Sequence, residues 1–231
     1  MEKINHIRFD RGFDPEKLKA DLQKVLTHNW TAHYNSAAYS GSWTSIALLA
    51  AGGKSSNINA LPTEGEAVLE TEVMENCDYF REVLNSFDCT KTTARLLRLN
   101  AGAVINPHRD YCLGYEDGVF RIHIPVVTNP DVEFILAGER ISMEEGSCWY
   151  IDANEEHSVA NKGKEDRIHL VIDGNRNEWT DRLFFSMAAE EQFRSPEKVP
   201  DPEQHRRMIE ELKRMDTPAA KALLQQLGET D

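Results

Sequence analysis

The sequence predicts a mainly β fold, a sandwich or barrel of the jelly-roll kind, with helices before it and a helical segment after it. Three observations lead there. Between about residues 92 and 173, short alternating or apolar runs recur at near-regular spacing: 95–99, Val119–Val127, Val132–Leu136, 140–143, Ser147–Ile151, 158–161 and 167–173. Turn signals such as Asn100-Ala101-Gly102, Asn129-Pro130-Asp131 and Glu144-Glu145-Gly146 separate them, the pattern of many short strands folded into two sheets. The flanks switch from a period of two to a helical period.

Upstream, Asp14-Pro15-Glu16 opens a helix, with Asp14 as cap and Pro15 at the first helical position, where its missing N–H is no loss. Leu18, Leu22, Val25 and Leu26 then form one apolar stripe. Trp43–Ala51 reads as a buried strand. The Gly52-Gly53-Lys54-Ser55 that follows lacks the upstream glycine of a phosphate loop, since Leu48 stands there, and reads as a turn. A second helix is expected over 73–85. Downstream, 179–194 is amphipathic, 195–202 carries three prolines as a linker, and Met208, Ile209, Leu212 and Met215 mark another helix, followed by 218–227. Residues 1–178 therefore form the expected β domain with its N-terminal helices, and residues 179–231 a C-terminal helical extension.

Composition narrows the functional classes. The 231 residues carry 26 Lys+Arg against 39 Asp+Glu, a formal charge of −13, with 40% hydrophobic residues. That balance suits a globular chain with a real core. The acidic excess excludes a general nucleic-acid binder and a polybasic membrane-surface protein, because both need clustered Lys and Arg. Cys77, Cys89, Cys112 and Cys148 are scattered without a CxxC spacing, as free thiols in a reducing compartment. The opening MEKINHIRFD has no apolar stretch of a secretion signal, and the longest apolar run, 46–51, is far short of the ~20 residues of a membrane span. A cytoplasmic protein is expected.

The chemistry concentrates in Asn106-Pro107-His108-Arg109-Asp110 and Glu155-Glu156-His157. In extended backbone, His108 and Asp110 point to the same side, and His157 arrives from the start of a later strand. Two imidazoles and one carboxylate on one face of a metal, with sites left open, is the arrangement of non-haem Fe(II) oxygenases. Zinc hydrolases compete for such ligands, yet they commonly draw two histidines from one helix as HExxH, and no such helix is present.

Arg167 opens an alternating strand with His169 and Val171 on its own face. Inside a barrel it needs an anion, and a dicarboxylate cosubstrate meets a guanidinium with two parallel hydrogen bonds; pairing with Asp166 or Asp173 is the alternative. Arg121 and His123 share a face in Phe120-Arg121-Ile122-His123-Ile124, where they either meet a second carboxylate in the cavity or lie on the solvated side of an edge strand. Trp149, His169 and Arg109 are candidate substrate contacts, with Tyr111, Trp43 and Arg95 close by in the chain or on neighbouring strands.

The segments RLLRLNAGAVINPHRDY, FRIHIPVVTNPDVEF, GSCWYIDANEEHSVANKG and DRIHLVID occur in order over about a third of the chain. Together they resemble the aspartyl/asparaginyl β-hydroxylase family, which includes bacterial proline hydroxylases. The resemblance implies a double-stranded β-helix (jelly roll, cupin-like), Fe(II), O2 and 2-oxoglutarate as cosubstrate, with ascorbate as a stimulant. His108, Asp110 and His157 then resemble the iron ligands, Arg167 the residue holding the distal carboxylate of 2-oxoglutarate, and Arg121 and His123 the pair near its keto-acid end. The vertebrate enzyme lacks a carboxylate at the position of Asp110, so the HRD here is nearer the bacterial free-amino-acid hydroxylases. Leu97 stands where the vertebrate enzyme has a serine that contacts 2-oxoglutarate. Its tetratricopeptide repeats and membrane anchor have no counterpart in this sequence. The expected activity is hydroxylation of an unactivated C–H in an amino acid, free or in a peptide, giving succinate and CO2. The alternatives are a cupin-type metalloenzyme that does not use 2-oxoglutarate and a non-catalytic binding domain on the same fold.

Overall fold

The computed structural model describes residues 3–60 and 65–194, together with Arg206, Ile209, Glu210, Lys213, Arg214 and Leu224. In chain order the elements are β1 (His6–Gly12), α1 (Pro15–Val25), β2 (Thr31–Ala32), β3 (Tyr39–Ser40), β4 (Trp43–Ala51), β5 (Val68–Glu70), α2 (Asp78–Asn85), β6 (Lys91–Leu99), β7 (Val104–His108), β8 (Val119–Val127), β9 (Val132–Leu136), β10 (Glu139–Ile141), β11 (Ser147–Ile151), β12 (His157–Asn161), β13 (Arg167–Asn175) and α3 (Glu178–Phe185). They make two antiparallel sheets. The larger runs β1-β11-β8-β13-β6-β4-β2 with β5 added on β4, and the smaller runs β10-β9-β12-β7-β3. This is the mainly β jelly roll that the spacing of short strands predicts.

Period-two alternation splits the side chains of the larger sheet into two populations. On its outer face Ile46, Leu96, Ile122, Ile124, Leu170 and Ile172 are completely buried against α1, α2 and α3. The inner face meets the smaller sheet across a second apolar cluster, in which Trp43, Leu99 and Trp149 pack with Ile105, Phe134 and Val159. The polar and charged side chains of the site stand among this second group.

Caps account for the helices. Asp14 accepts from the backbone N–H groups of Glu16 and Lys17 at 3.0 and 3.3 Å, which starts α1 as its sequence predicts. The helix expected over 73–85 is broken instead. A 3-10 turn, Glu72–Asn76, precedes α2, which begins where the buried Asp21 carboxylate accepts from the N–H groups of Tyr79 and Phe80. The cap for α2 comes from another helix, so no local signal marks it. The stretch 179–194 is likewise divided, with α3 ending at Phe185 and a 3-10 turn over Glu190–Phe193. Because Phe184 and Phe193 both pack into the outer core, the compact unit extends to Arg194 and not merely to residue 178.

The second unit is Ser195–Asp231. Its described residues are helical, and Ile209 and Leu224 are buried. The expected linker 195–202 and Met208, Leu212 and Met215 lie outside the described residues.

Candidate active site

β7 and β12 lie side by side and bring His108 directly opposite His157. The ladder is irregular between these residues and the pair Val159–Ile105, the stretch that holds Pro107, whose missing N–H cannot serve a regular ladder. Past the strand, the Asp110 N–H donates to the carbonyl of Ala153 at 2.9 Å and keeps the carboxylate beside the two rings. The His108 and His157 ring centroids are 4.2 Å apart, and His108 Nε2 is 3.9 Å from Asp110 Oδ1. One donor atom from each of His108, Asp110 and His157 lies within 4.8 Å of the others, the only such group of three among the described residues.

The ring nitrogens are oriented. Nδ1 of His108 faces the carbonyl of Asn106 and Nδ1 of His157 that of Glu155, each at 2.9 Å. A carbonyl can only accept, so each Nδ1 carries the proton and each Nε2 lone pair is free for a metal. Burial pushes the His157 pKa down to about 4, so its ring is neutral at physiological pH. For Asp110, burial acts to raise the pKa, but Arg121 and the two imidazoles outweigh it and hold the carboxyl below its usual range. Neutral nitrogens and an ionised oxygen are the states a divalent metal requires.

Arg121 stands in β8, between β11 and β13 in the interior of the larger sheet, which removes the edge-strand alternative. Its guanidinium meets carboxylates of this chain. Nη1 donates to Asp110 Oδ2 at 2.5 Å, while Nε and Nη2 donate to Asp173 Oδ1 and Oδ2 at 2.7 and 3.4 Å. Asp173 also accepts from Arg95 at 2.6 Å and from the Thr93 hydroxyl at 3.0 Å.

Arg167 has no such company. Asp166 is taken by Arg98 and Asp173 by Arg121 and Arg95, so neither alternative partner reaches it. It is 2% exposed, its Nε has no hydrogen-bond partner, and its only polar contact among the described residues is Nη2 donating to Nδ1 of His169 at 2.9 Å. Burial pulls its pKa down to about 9, which still leaves a cation at neutral pH. Phe134 connects it to the candidate metal ligands: its ring stacks on His157 at 6.3 Å between centroids, and the Arg167 guanidinium carbon is 5.9 Å from that ring. His123 lies edge-on to the same ring at 6.0 Å, and burial, reinforced by Arg167 and Arg121, keeps it neutral.

Two cavities reach these groups. One of about 570 Å³ is lined by His108, Asp110, Arg121, Arg95, Trp43 and Leu97, among others. Another, of about 600 Å³, shares none of its lining residues and reaches Arg167 and His169 past Phe134 and Met143. Of the candidate substrate contacts, Arg109 lines the first cavity and bonds to the Asn154 carbonyl, whereas His169 lines the second. Trp149 is packed between the sheets with its indole N–H on the Ser147 hydroxyl, which makes it a core residue. Trp43 stacks on His33 with ring centroids 3.7 Å apart, and Tyr34 and Tyr111 stand exposed at the mouth.

Sequence reasoning missed the roles of Asp173 and Phe134. Asp173 continues the parity of Arg167, His169 and Val171, so a carboxylate on the face that bears Arg121 and Arg95 was a usable signal. Phe134 offered none, since an aromatic in an apolar strand is ordinary core.

The sequence also matches known proteins. The family model described as Aspartyl/Asparaginyl beta-hydroxylase matches residues 13–177. L-proline cis-4-hydroxylase of Rhizobium meliloti (strain 1021) is 28% identical over 163 residues, covering 70% of this chain and 57% of that protein. The match thus spans little more than half the length of that relative. Among solved structures, the non-heme alpha ketoglutarate dependent epimerase SnoN from nogalamycin biosynthesis aligns with a TM-score of 0.50 at 11% identity, over 74% of this chain and 78% of its own. An oxidoreductase of the 2OG-Fe(II) oxygenase family from Burkholderia pseudomallei aligns at 0.47 with 13% identity, over 71% of this chain and 84% of its own. The chain belongs to the aspartyl/asparaginyl β-hydroxylase family.

Proposed function

We propose that the protein is an Fe(II)- and 2-oxoglutarate-dependent dioxygenase that hydroxylates an unactivated C–H bond of an amino acid, free or within a peptide. The observation that carries this reading is the pairing of a two-histidine, one-carboxylate donor set with a buried guanidinium that has no carboxylate of its own. The donor set fits Fe(II), and the unpartnered cation fits the far end of a small diacid. His108, Asp110 and His157 would hold the iron, and Arg167 the distal carboxylate of 2-oxoglutarate. When bound, the iron, the keto acid and O2 supply the oxidising power, with decarboxylation to succinate and CO2 coupled to insertion of one oxygen atom into the acceptor.

The protein's own residues do the positioning. The carbonyls of Asn106 and Glu155 fix the tautomers of the two histidines. Arg121 keeps Asp110 ionised, and its remaining N–H capacity with neutral His123 suits the keto-acid end. His169 orients the Arg167 fork by accepting from it. Trp43 and Leu97 keep the wall beside the ligands dry, and Arg109 offers a charged rim to the acceptor. The acceptor is a small molecule or short segment, since a cavity of about 570 Å³ is of the size that takes one. The charge of −13 keeps nucleic acid out of consideration, and we place the enzyme in the cytoplasm.

The test is a screen of free amino acids and short peptides with Fe(II), ascorbate and 2-oxoglutarate, following succinate and a product heavier by one oxygen. Slow succinate formation without acceptor and faster formation with one are expected. Metal binding without any 2-oxoglutarate turnover or affinity would instead favour a cupin-type metalloenzyme.

A further inference from the structure

We propose that Asp173 is a positioning residue for the metal centre: through Arg121 it fixes which oxygen of Asp110 is offered to the metal. The inference rests on the reading of His108, Asp110 and His157 as metal ligands. It concerns a buried side chain that touches none of them.

The geometry is a relay across three strands. Asp173 on β13 lies directly opposite Arg121 on β8 and opposite Thr93 on β6. Its two oxygens face Nε and Nη2 of Arg121, so one edge of the planar guanidinium is held at two points. A planar group held along one edge cannot rotate, and its third nitrogen, Nη1, is set in place. That nitrogen donates to Asp110 Oδ2 at 2.5 Å. Oδ2 is thereby engaged, and the other oxygen, Oδ1, is the one near His108 Nε2, at 3.9 Å.

The surroundings argue that Asp173 is kept for this and not for packing. The site is 2% exposed, where a carboxylate costs heavily unless it is fully met. Four donor contacts meet it: the two from Arg121, one from Arg95 Nη2 and one from the Thr93 hydroxyl. Arg95 in turn is anchored by donating to the Ile58 carbonyl, so Asp173 is braced from the side away from Arg121. An apolar residue here would be the cheaper way to fill a sheet interior, but it would leave Arg121 free to swing and Asp110 free to turn.

The experiment is a titration of the metal-free full-length protein with Co(II) alone, read by affinity and by the visible absorption spectrum of the bound ion. Asp173→Asn should lower Co(II) affinity by about ten- to a hundredfold and alter the spectrum, as loss of a group that orients a ligand does. Asp21→Asn is the structural control: it removes another buried carboxylate, one that starts α2 on the other face of the sheet, and should lower Tm while leaving affinity and spectrum as in the wild type. If Asp173→Asn fails to fold, Asp173→Glu keeps the charge, displaces the carboxylate by one methylene and should give the same spectral change. Wild-type affinity and spectrum in the folded Asp173 variant overturn the proposal, as does an equal loss in Asp21→Asn. Wild-type protein that binds no Co(II), or binds it unchanged after His157→Ala, overturns the metal reading itself.

Discussion

The two faces of the larger sheet are made from the same strands and differ in almost everything else. The helix-side face carries Ile122, Ile124, Leu170 and Ile172 in a dense apolar layer. One residue along each strand, the inner face carries Arg121, His123, Arg167, His169 and Asp173, all nearly as inaccessible to water. The first face is stabilised by burial itself, at roughly 25 cal/mol per Å² of apolar surface. The second needs a partner for every charge, and among the described residues it has found a counter-charge for each except Arg167. The molecule therefore keeps its dense apolar packing on one side of a sheet and its buried charged and polar groups on the other, a single residue step apart.

This division can be broken at either face. The largest contrast is between His157→Ala and Leu170→Ala. On the proposed function the first should abolish succinate formation and leave the melting curve close to wild type, because His157 belongs to neither apolar core cluster and packs at a strand end beside His108 and Phe134. The second should cost about 2–5 kcal/mol of stability, the usual range for truncating a fully buried leucine, with activity per folded molecule retained. Calorimetry and a succinate assay on both variants check the pair; loss of fold in the first or loss of specific activity in the second would blur the division.

A smaller effect with the opposite sign is expected at Arg167. Arg167→Met should raise the Tm of the ligand-free protein by several degrees, since an uncompensated buried cation is replaced by an apolar side chain of similar length. On the proposed function, 2-oxoglutarate should raise the Tm of the wild type and leave that of this variant unchanged. A lower Tm would mean that the cation has a counter-charge after all.

The gentlest test is acidity. In the metal-free fold, burial holds His157 near a pKa of about 4 and His123 and His169 well below the ordinary value. In the unfolded chain these rings titrate near ~6.5. Between those values the unfolded state binds more protons, so stability must fall as the pH is lowered from about 6.5 towards 4. Asp173 continues the decline with the same sign. Burial would raise its pKa, but Arg121 and Arg95 bring it below the unfolded value near ~3.9, so that its contribution is lost as the pH falls further. Unfolding followed against pH should show no plateau between pH 6 and 4, and a flat profile there would mean that the inner-face histidines are hydrated.

Much of this arrangement is legible in the sequence because it rests on alternation. Once Arg167-Ile168-His169 is read as a strand, a basic face and an apolar face follow, and the same holds for Arg121-Ile122-His123. What alternation does not show is long-range pairing. β1 escapes notice because Ile7 and Phe9 are interleaved with His6, Arg8 and Asp10, and its apolar face is small until β11 pairs with it. β7 is disguised by Pro107, which demotes a strand on local grounds although the ladder irregularity accommodates it. Which acidic group meets which arginine depends on strand order, and for that reason Asp173 reads from sequence as a partner for Arg167 while the fold gives it to Arg121 and Arg95.

One consequence of the lone guanidinium concerns how such a protein would respond to selection. A screen that rewards heat resistance alone, run without the diacid, would favour losing Arg167 early, because an oilier residue there makes a sturdier barrel. Survivors would look improved in every assay except turnover. If Arg167 holds a small diacid as proposed, engineering this scaffold for robustness calls for that acid in the selection medium, so that keeping the awkward charge is rewarded.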